Sequence, residues 1–241
     1  MLKAVLRGLT LALLSIGLWE SAYSFNGLDA NHFTNLQNLN PQALQLGLQA
    51  YQCALARHEV HNPLLSIVDY SLPSNAKRLW VIDPIHHKVL FHLFVSHGEE
   101  SGNLYAQEFS NSVNSHESSL GVYLTANSYN GEHGYSLRLL GLEPGVNDNA
   151  QKRDIVIHSG WYANDNFVQH YAQAGHSWGC FVINQPMVKE VIDTLKGSSL
   201  LFVYAPQENH DPYVTQCSAP LNNNYTGEQL VERHSIFEHR T

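Results

Sequence analysis

The stretch IVIHSGWYANDNFVQHYAQAGHSWGC, Ile155 to Cys180, decides how this chain is read. It opens as a short apolar strand, Ile155–Val156–Ile157, that ends abruptly in His158 and Ser159, and Cys180 follows the histidine by 22 positions at a junction ahead of a helical pattern. Such a layout can bring a thiol and an imidazole together at one end of a sheet. The pairing has a chemical use: a free thiol has a pKa of about 8.5, the attacking species is the thiolate, and an adjacent imidazolium stabilises it. Gly179 lets the backbone approach closely, so main-chain N–H groups around Cys180 can point at a developing oxyanion. Spacing alone leaves a second reading open, that of a buried, unreactive packing cysteine.

The rest of the chain narrows the field. Lys3 and Arg7 precede an apolar run from Leu9 to Leu18, and Ala22–Tyr23–Ser24 supplies a small-residue pattern, so residues 1–24 read as a secretory signal. The run is well short of the ~20 residues that cross a bilayer, and no later segment comes close to a span. Cleavage after Ser24 leaves 217 of the 241 residues, enough for one good core, and removes Lys3, Arg7 and Glu20, moving the formal charge from −8 to −9. There is no basic cluster, which argues against nucleic acid as a partner. Three cysteines remain, Cys53, Cys180 and Cys217. An oxidising compartment tends to pair two and leave one conspicuous, and counting alone does not say which. Among the fifteen histidines, His86, His87, His92, His97, His116 and His133 invite a metal reading. The sequence has no HExxH, and HEVHN at His58 has the wrong spacing for two ligands on one helical face, so no metal site is expected.

Residues 25–40 are Asn-rich and aperiodic, a lead-in segment. Asn40 as N-cap and Pro41 at the first helical position predict a helix to about Arg57, with Leu44, Leu48, Tyr51 and Leu55 on one face. KRLWVID (77–83) and KVLFHLFVS (88–96) predict two paired strands around PIHH. LGVYLTA from Leu120, YSLRLLG from Tyr135 and RDIVIHS from Arg153 predict further strands, divided by the turn-rich NSYNGEHG and EPGVNDNAQ. After Cys180, NQPMVKEVIDTLKG predicts a helix capped at Asn184 or Gln185 and stopped at Gly197, and SLLFVYAP a buried strand. The expectation is a mainly β domain over 41–206 with flanking helices, one N-terminal and one after the cysteine. The polar tail, 207–241, is expected to be a flap or partly disordered.

IVIHS followed by SWGC resembles the signature of the YkuD-like superfamily, in which a histidine in HG or HS precedes a terminal S-x-G-C. Together with YQCALA, DYSLPSNAKRLWVID, SSLGVY, HGYSLRLLGLEPGVNDNA and HSWGC, it is similar to the murein L,D-transpeptidase catalytic domain family, over about Gln42 to Pro206. The resemblance implies that fold and an exported, periplasmic or cell-wall-associated enzyme acting on peptidoglycan stem peptides. It also implies acylation by carbapenems and no metal or organic cofactor. Carried onto this sequence, Cys180 takes the place of the nucleophile and His158 that of the general base. Ser159 would act through its carbonyl, and Gly179 with Cys180 would supply oxyanion N–H groups. Trp178 stands where the better-known branch has the histidine of SHGC, leaving an aromatic wall. Ser177, Trp178, Tyr135 and Arg138 are the candidate substrate-binding residues, although strand alternation and a structural salt bridge account for the last two almost as well. If Cys180 stays reduced for catalysis, Cys53 and Cys217 are the natural disulfide partners. A carboxypeptidase using water as acceptor, and a non-catalytic wall-binding module, are the rival functions.

Overall fold

The computed structural model describes residue 33 and residues 36–207 and 211–218. The signal segment, most of the lead-in and the end of the tail lie outside the described residues. Helix α1, Pro41–Ala56, begins where the capping residues place it: the Asn40 side chain accepts from the Gln42 N–H and Pro41 occupies the first turn. The strands are β1 Leu65–Asp69, β2 Leu79–Asp83, β3 Lys88–Leu93, β4 Gly121–Gly131, β5 Gly134–Gly141, β6 Val156–Ser159, β7 Phe181–Ile183 and β8 Leu200–Tyr204. Helices α2 Asp165–Tyr171, α3 Val188–Leu195 and α4 Pro212–Ser218 complete the described elements.

The eight strands form one sheet in the order β3-β2-β1-β8-β4-β5-β6-β7. Pairing is antiparallel except for β1 with β8 and β6 with β7. The sheet curls far enough that its two ends meet. Beyond β3 the chain runs on to Ser96, whose N–H donates to the Val182 carbonyl of β7, and Gly98 bridges Ser177 in parallel. The result is a near-barrel, mainly β with flanking helices. One face buries Val81, Tyr123, Leu137, Phe181 and Leu201 with Val191, Ile192 and Leu195 of α3. The other packs Ile67, Trp80, Val122 and Phe202 against Leu44, Leu48 and Tyr51 of α1. Gly47 lets α1 lie close, since a Cβ there would stand 3.1 Å from Ile67 Cδ1.

Several elements differ from the sequence expectations. β1 sits between β2 and β8 with every residue buried, so it carries no alternation to read. β4 continues through NSYN, which pairs with β5, and the turn is confined to Gly131–Gly134. Cys180 leads into strand β7 rather than a helix, and α3 starts only at Val188, after a turn through Asn184–Met187. The start of the tail is helical and anchored: α4 packs on α1, Cys53 and Cys217 form a disulfide, and the Tyr213 ring lies 4.4 Å under the Arg57 guanidinium. No helix among the described residues is long and apolar enough to cross a membrane.

The disulfide leaves Cys180 as the free cysteine. Thiol counting on denatured, unreduced protein should therefore give one thiol per chain, removed by Cys180→Ala. Paired Cys53→Ser and Cys217→Ser changes should cost about 4 to 5 kcal/mol in the chain-entropy model, read from denaturant midpoints, because they release a closure spanning 164 positions.

Candidate active site

The β6–β7 register explains how residues so far apart in sequence meet. Ile157 pairs with Phe181 and His158 with Val182. Adjacent parallel strands in register point paired side chains to the same face, and alternate residues to opposite faces. Ile157 and Phe181 turn into the core with α3, so His158 and Cys180 share the opposite face. There they line one cleft of about 500 Å³ with His116, His133, Asp154, Tyr162, Ser177 and Trp178.

Asp154 has a φ of 53°, in the left-handed region, and its carbonyl accepts from the Cys180 thiol at 3.4 Å. Burial raises the thiol pKa to about 11; the Val156 N–H bond opposes that, Asp154 adds to it and the Arg153 guanidinium counters it. His158 is buried, its Nδ1 lies 3.0 Å from the Ser159 carbonyl oxygen, and its ring stacks on His133 at 4.4 Å. A carbonyl only accepts, so Nδ1 carries the hydrogen and Nε2 keeps its lone pair. Burial lowers the imidazole pKa below the usual range, the Ser159 bond acts against this, and His133 adds to it. Burial thus works against the charged form of both groups.

The turn before Cys180 is tightly tied. The Gly179 N–H donates to Ser177 Oγ at 3.1 Å, and that hydroxyl donates to the Cys180 carbonyl at 2.7 Å. The Ser177 hydroxyl and the Gly179 N–H are thus both engaged within the turn. Ser177 is pinned in turn, its N–H donating to the His97 carbonyl and its carbonyl accepting from the Glu99 N–H.

Two candidates stand elsewhere. Tyr135 donates to Asp193 at 2.7 Å, in a surface network with Lys189 and Lys196, and Arg138 lies 4.1 Å over the Tyr129 ring. Neither lines the Cys180 cleft: local pairing on β4 and β5 and with α3 accounts for both. Trp178 does line it, 67% exposed, with its indole stacked on His116. Sequence reasoning named His116 and His133 only as metal candidates and missed Asp154 and Tyr162. Among the described residues no group of three or more His, Cys, Asp or Glu is arranged to hold a metal ion. His86 pairs with Asp83, His92 stacks on Trp80 and His97 contacts Arg78.

Gly179 has a φ of +111°, and a Cβ there would stand 2.6 Å from the Glu117 carbonyl oxygen. Gly179→Ala should shift the turn that carries Cys180, slowing thiol alkylation of folded protein and lowering the unfolding midpoint, whereas Ala at Gly145, where a Cβ meets nothing within 4 Å, should leave thiol reactivity near wild type.

Residues 35–204 match the L,D-transpeptidase catalytic domain family. No curated protein matches the chain. Among solved structures it is similar to an L,D-transpeptidase from Mycobacterium smegmatis, at 13% identity and a TM-score of 0.37, covering 59% of each chain. It is also similar to an L,D-transpeptidase in complex with imipenem, at 12% identity and a TM-score of 0.35, again over 59% of each chain. A third is the helical cell shape determining protein Pgp2, K307A mutant, of Campylobacter jejuni, at 12% identity and a TM-score of 0.39, over 70% of this chain and 60% of that one. The match thus spans about three fifths of the length of these structures. With the family match covering most of the near-barrel and both residues of the thiol–imidazole pair, the chain belongs to the L,D-transpeptidase catalytic domain family.

Proposed function

We propose that the protein is an exported peptidoglycan L,D-transpeptidase with Cys180 as nucleophile and His158 as general base. The observation that carries this reading is the free Cys180 thiol sharing one cleft with an imidazole whose tautomer leaves Nε2 as the base. The substrate is a tetrapeptide stem, cleaved between the L-centre of its third residue, diaminopimelate, and D-Ala. The thiol proton passes to His158 Nε2 as sulfur attacks the carbonyl carbon. The C–N bond then breaks, His158 returns the proton to the departing D-Ala amine, and a thioester remains. An amine of a second stem attacks the thioester and gives its proton to His158. The C–S bond breaks, the thiol is restored, and the product is a 3-3 cross-link. The Ser159 carbonyl holds the imidazole in the working tautomer. Val156 N–H and Arg153 favour the thiolate as it forms. The Cys53–Cys217 disulfide agrees with an oxidising compartment outside the cytoplasm.

An amine outcompetes water, at ~55 M, only when bound beside the thioester, where effective molarities reach about 10⁵ M. Trp178 and His133 line the cleft and would wall it for that purpose. With water as acceptor, the same residues make an L,D-carboxypeptidase.

Mature protein incubated with tetrapeptide muropeptides should give Cys180-dependent tetra-tri or tri-tri dimers by mass. Tripeptide alone, with acceptor in excess, assigns the carboxypeptidase, and no product assigns the wall-binding module. Imipenem should add one acyl mass to wild type and none to Cys180→Ala; an adduct on another residue overturns the nucleophile assignment. His158→Ala should slow acylation by about 10²- to 10⁴-fold with less change in substrate binding.

Acylation needs neutral His158, whose pKa is lowered by burial and by His133. The acid limb of the acylation rate should therefore fall below pH 6.5. Alkylation by a small electrophile without substrate should stay slow at neutral pH and rise towards pH 11, following the raised thiol.

A further inference from the structure

Trp178 is held in place by the side chains of His116 and Glu99, which take no part in the proposed proton transfers. Its indole and the His116 ring are 4.5 Å apart and 4° from parallel. His116 is anchored from behind, Nδ1 lying 2.8 Å from Glu99 Oε1. Glu99 belongs to the segment that closes the sheet, and its N–H donates to the Ser177 carbonyl, one residue before Trp178. Backbone and side chain of Glu99 thus brace the two ends of one aromatic unit. The indole is 67% exposed, and the His116 stack covers one of its faces and holds its plane.

Its place in the cleft says which substrate meets it. His158 is only 4% exposed, so the scissile carbonyl of the donor must reach the deep part of the cleft. D-Ala departs before the second stem arrives, and that stem enters from solvent, where the exposed wall is Trp178.

We propose that Glu99 and His116 are positioning residues that hold Trp178 as the wall on which the acceptor stem peptide lies, and so set how the thioester divides between amine and water. This rests on the transpeptidase reading above. The stack presents one indole face to His116 and leaves the other for the acceptor's aliphatic chain and ammonium group. Losing the stack lets the indole swing, and the acceptor loses its orientation while water does not.

The test measures dimer and tripeptide formation from tetrapeptide muropeptides at several acceptor concentrations, with the imipenem acylation rate as a measure of the first half-reaction. His116→Ala should lower the dimer-to-tripeptide ratio about 2- to 10-fold, the range of an aromatic pair, chiefly by raising the acceptor KM. Acylation should fall by less than the ratio does. His116→Phe, which keeps the stack without the Glu99 bond, should recover most of the ratio, and Glu99→Ala should lie between. Indole emission should show Trp178 more open to a soluble quencher in His116→Ala than in His116→Phe, with Trp178→Phe identifying its share. An unchanged ratio in His116→Ala, or a loss confined to acylation, overturns the proposal. So does failure of His116→Phe to recover the ratio when its fold is intact. Wild-type protein that gives no dimers refutes the transpeptidase reading itself, before any variant is compared.

Discussion

A single buried guanidinium organises the end of the near-barrel where the chemistry sits. Arg78, just before β2, has no solvent exposure, and an ion taken from water costs several kcal/mol unless its donors are met. Here they are met by backbone: Nε and Nη2 donate to the Val95 carbonyl, Nη1 to that of Leu72, and Nη2 approaches His97 Nδ1 at 2.7 Å. The Tyr70 ring lies against the cation at 4.8 Å. Burial lowers the Arg78 pKa, to about 10, which leaves it charged at neutral pH. Burial, then the neighbouring Arg78 charge, drives His97 down to about 3, so it stays neutral, accepting from Arg78 and donating through Nε2 to the Gly102 carbonyl. These demands fix where residues 95–97 run, and the edge of β7 runs beside them. Ser96 then bonds Val182, and the His97 carbonyl takes the Ser177 N–H. The closure of the sheet and the placement of the Cys180 turn thus run through the segment that satisfies this charge.

How much of this was legible depended on whether the signal was local. Asn40–Pro41 announces α1 because capping is decided within three residues. The β2–β3 pair is legible because both strands are apolar and their turn is adjacent. β1 and β7 are not, the first because it is buried on every residue, the second because three residues hold no period. The two segments of the motif meet because the β6–β7 register joins them, and His158 Nδ1 lies against the Ser159 carbonyl. The local partners of Tyr135 and Arg138 were not legible, because a strand's outward face looks the same in sequence whether it meets substrate or a neighbour. The Asp193 that claims Tyr135 lies 58 positions on. His116 and His133 carried no motif at all, and their roles appear only once a stack on Trp178 or on His158 is seen.

The electrostatics set the order of events in the proposed reaction. A preformed thiolate would need a stable imidazolium beside it, yet burial works against both charges, raising the thiol and lowering the imidazole. The groups that favour the thiolate, the Val156 backbone and Arg153, lie at and just before the start of β6, beside Cys180. Proton transfer to His158 and attack by sulfur are then best taken together, with the donor carbonyl drawing the electron pair as it forms. A thiol kept neutral at rest also resists stray electrophiles and oxidants, which attack the thiolate. On the proposed reading, in an oxidising compartment consistent with the Cys53–Cys217 bond, that restraint would keep Cys180 free between turnovers. Burial that would slow the first proton transfer of the proposed reaction is thus the same burial that would preserve its nucleophile.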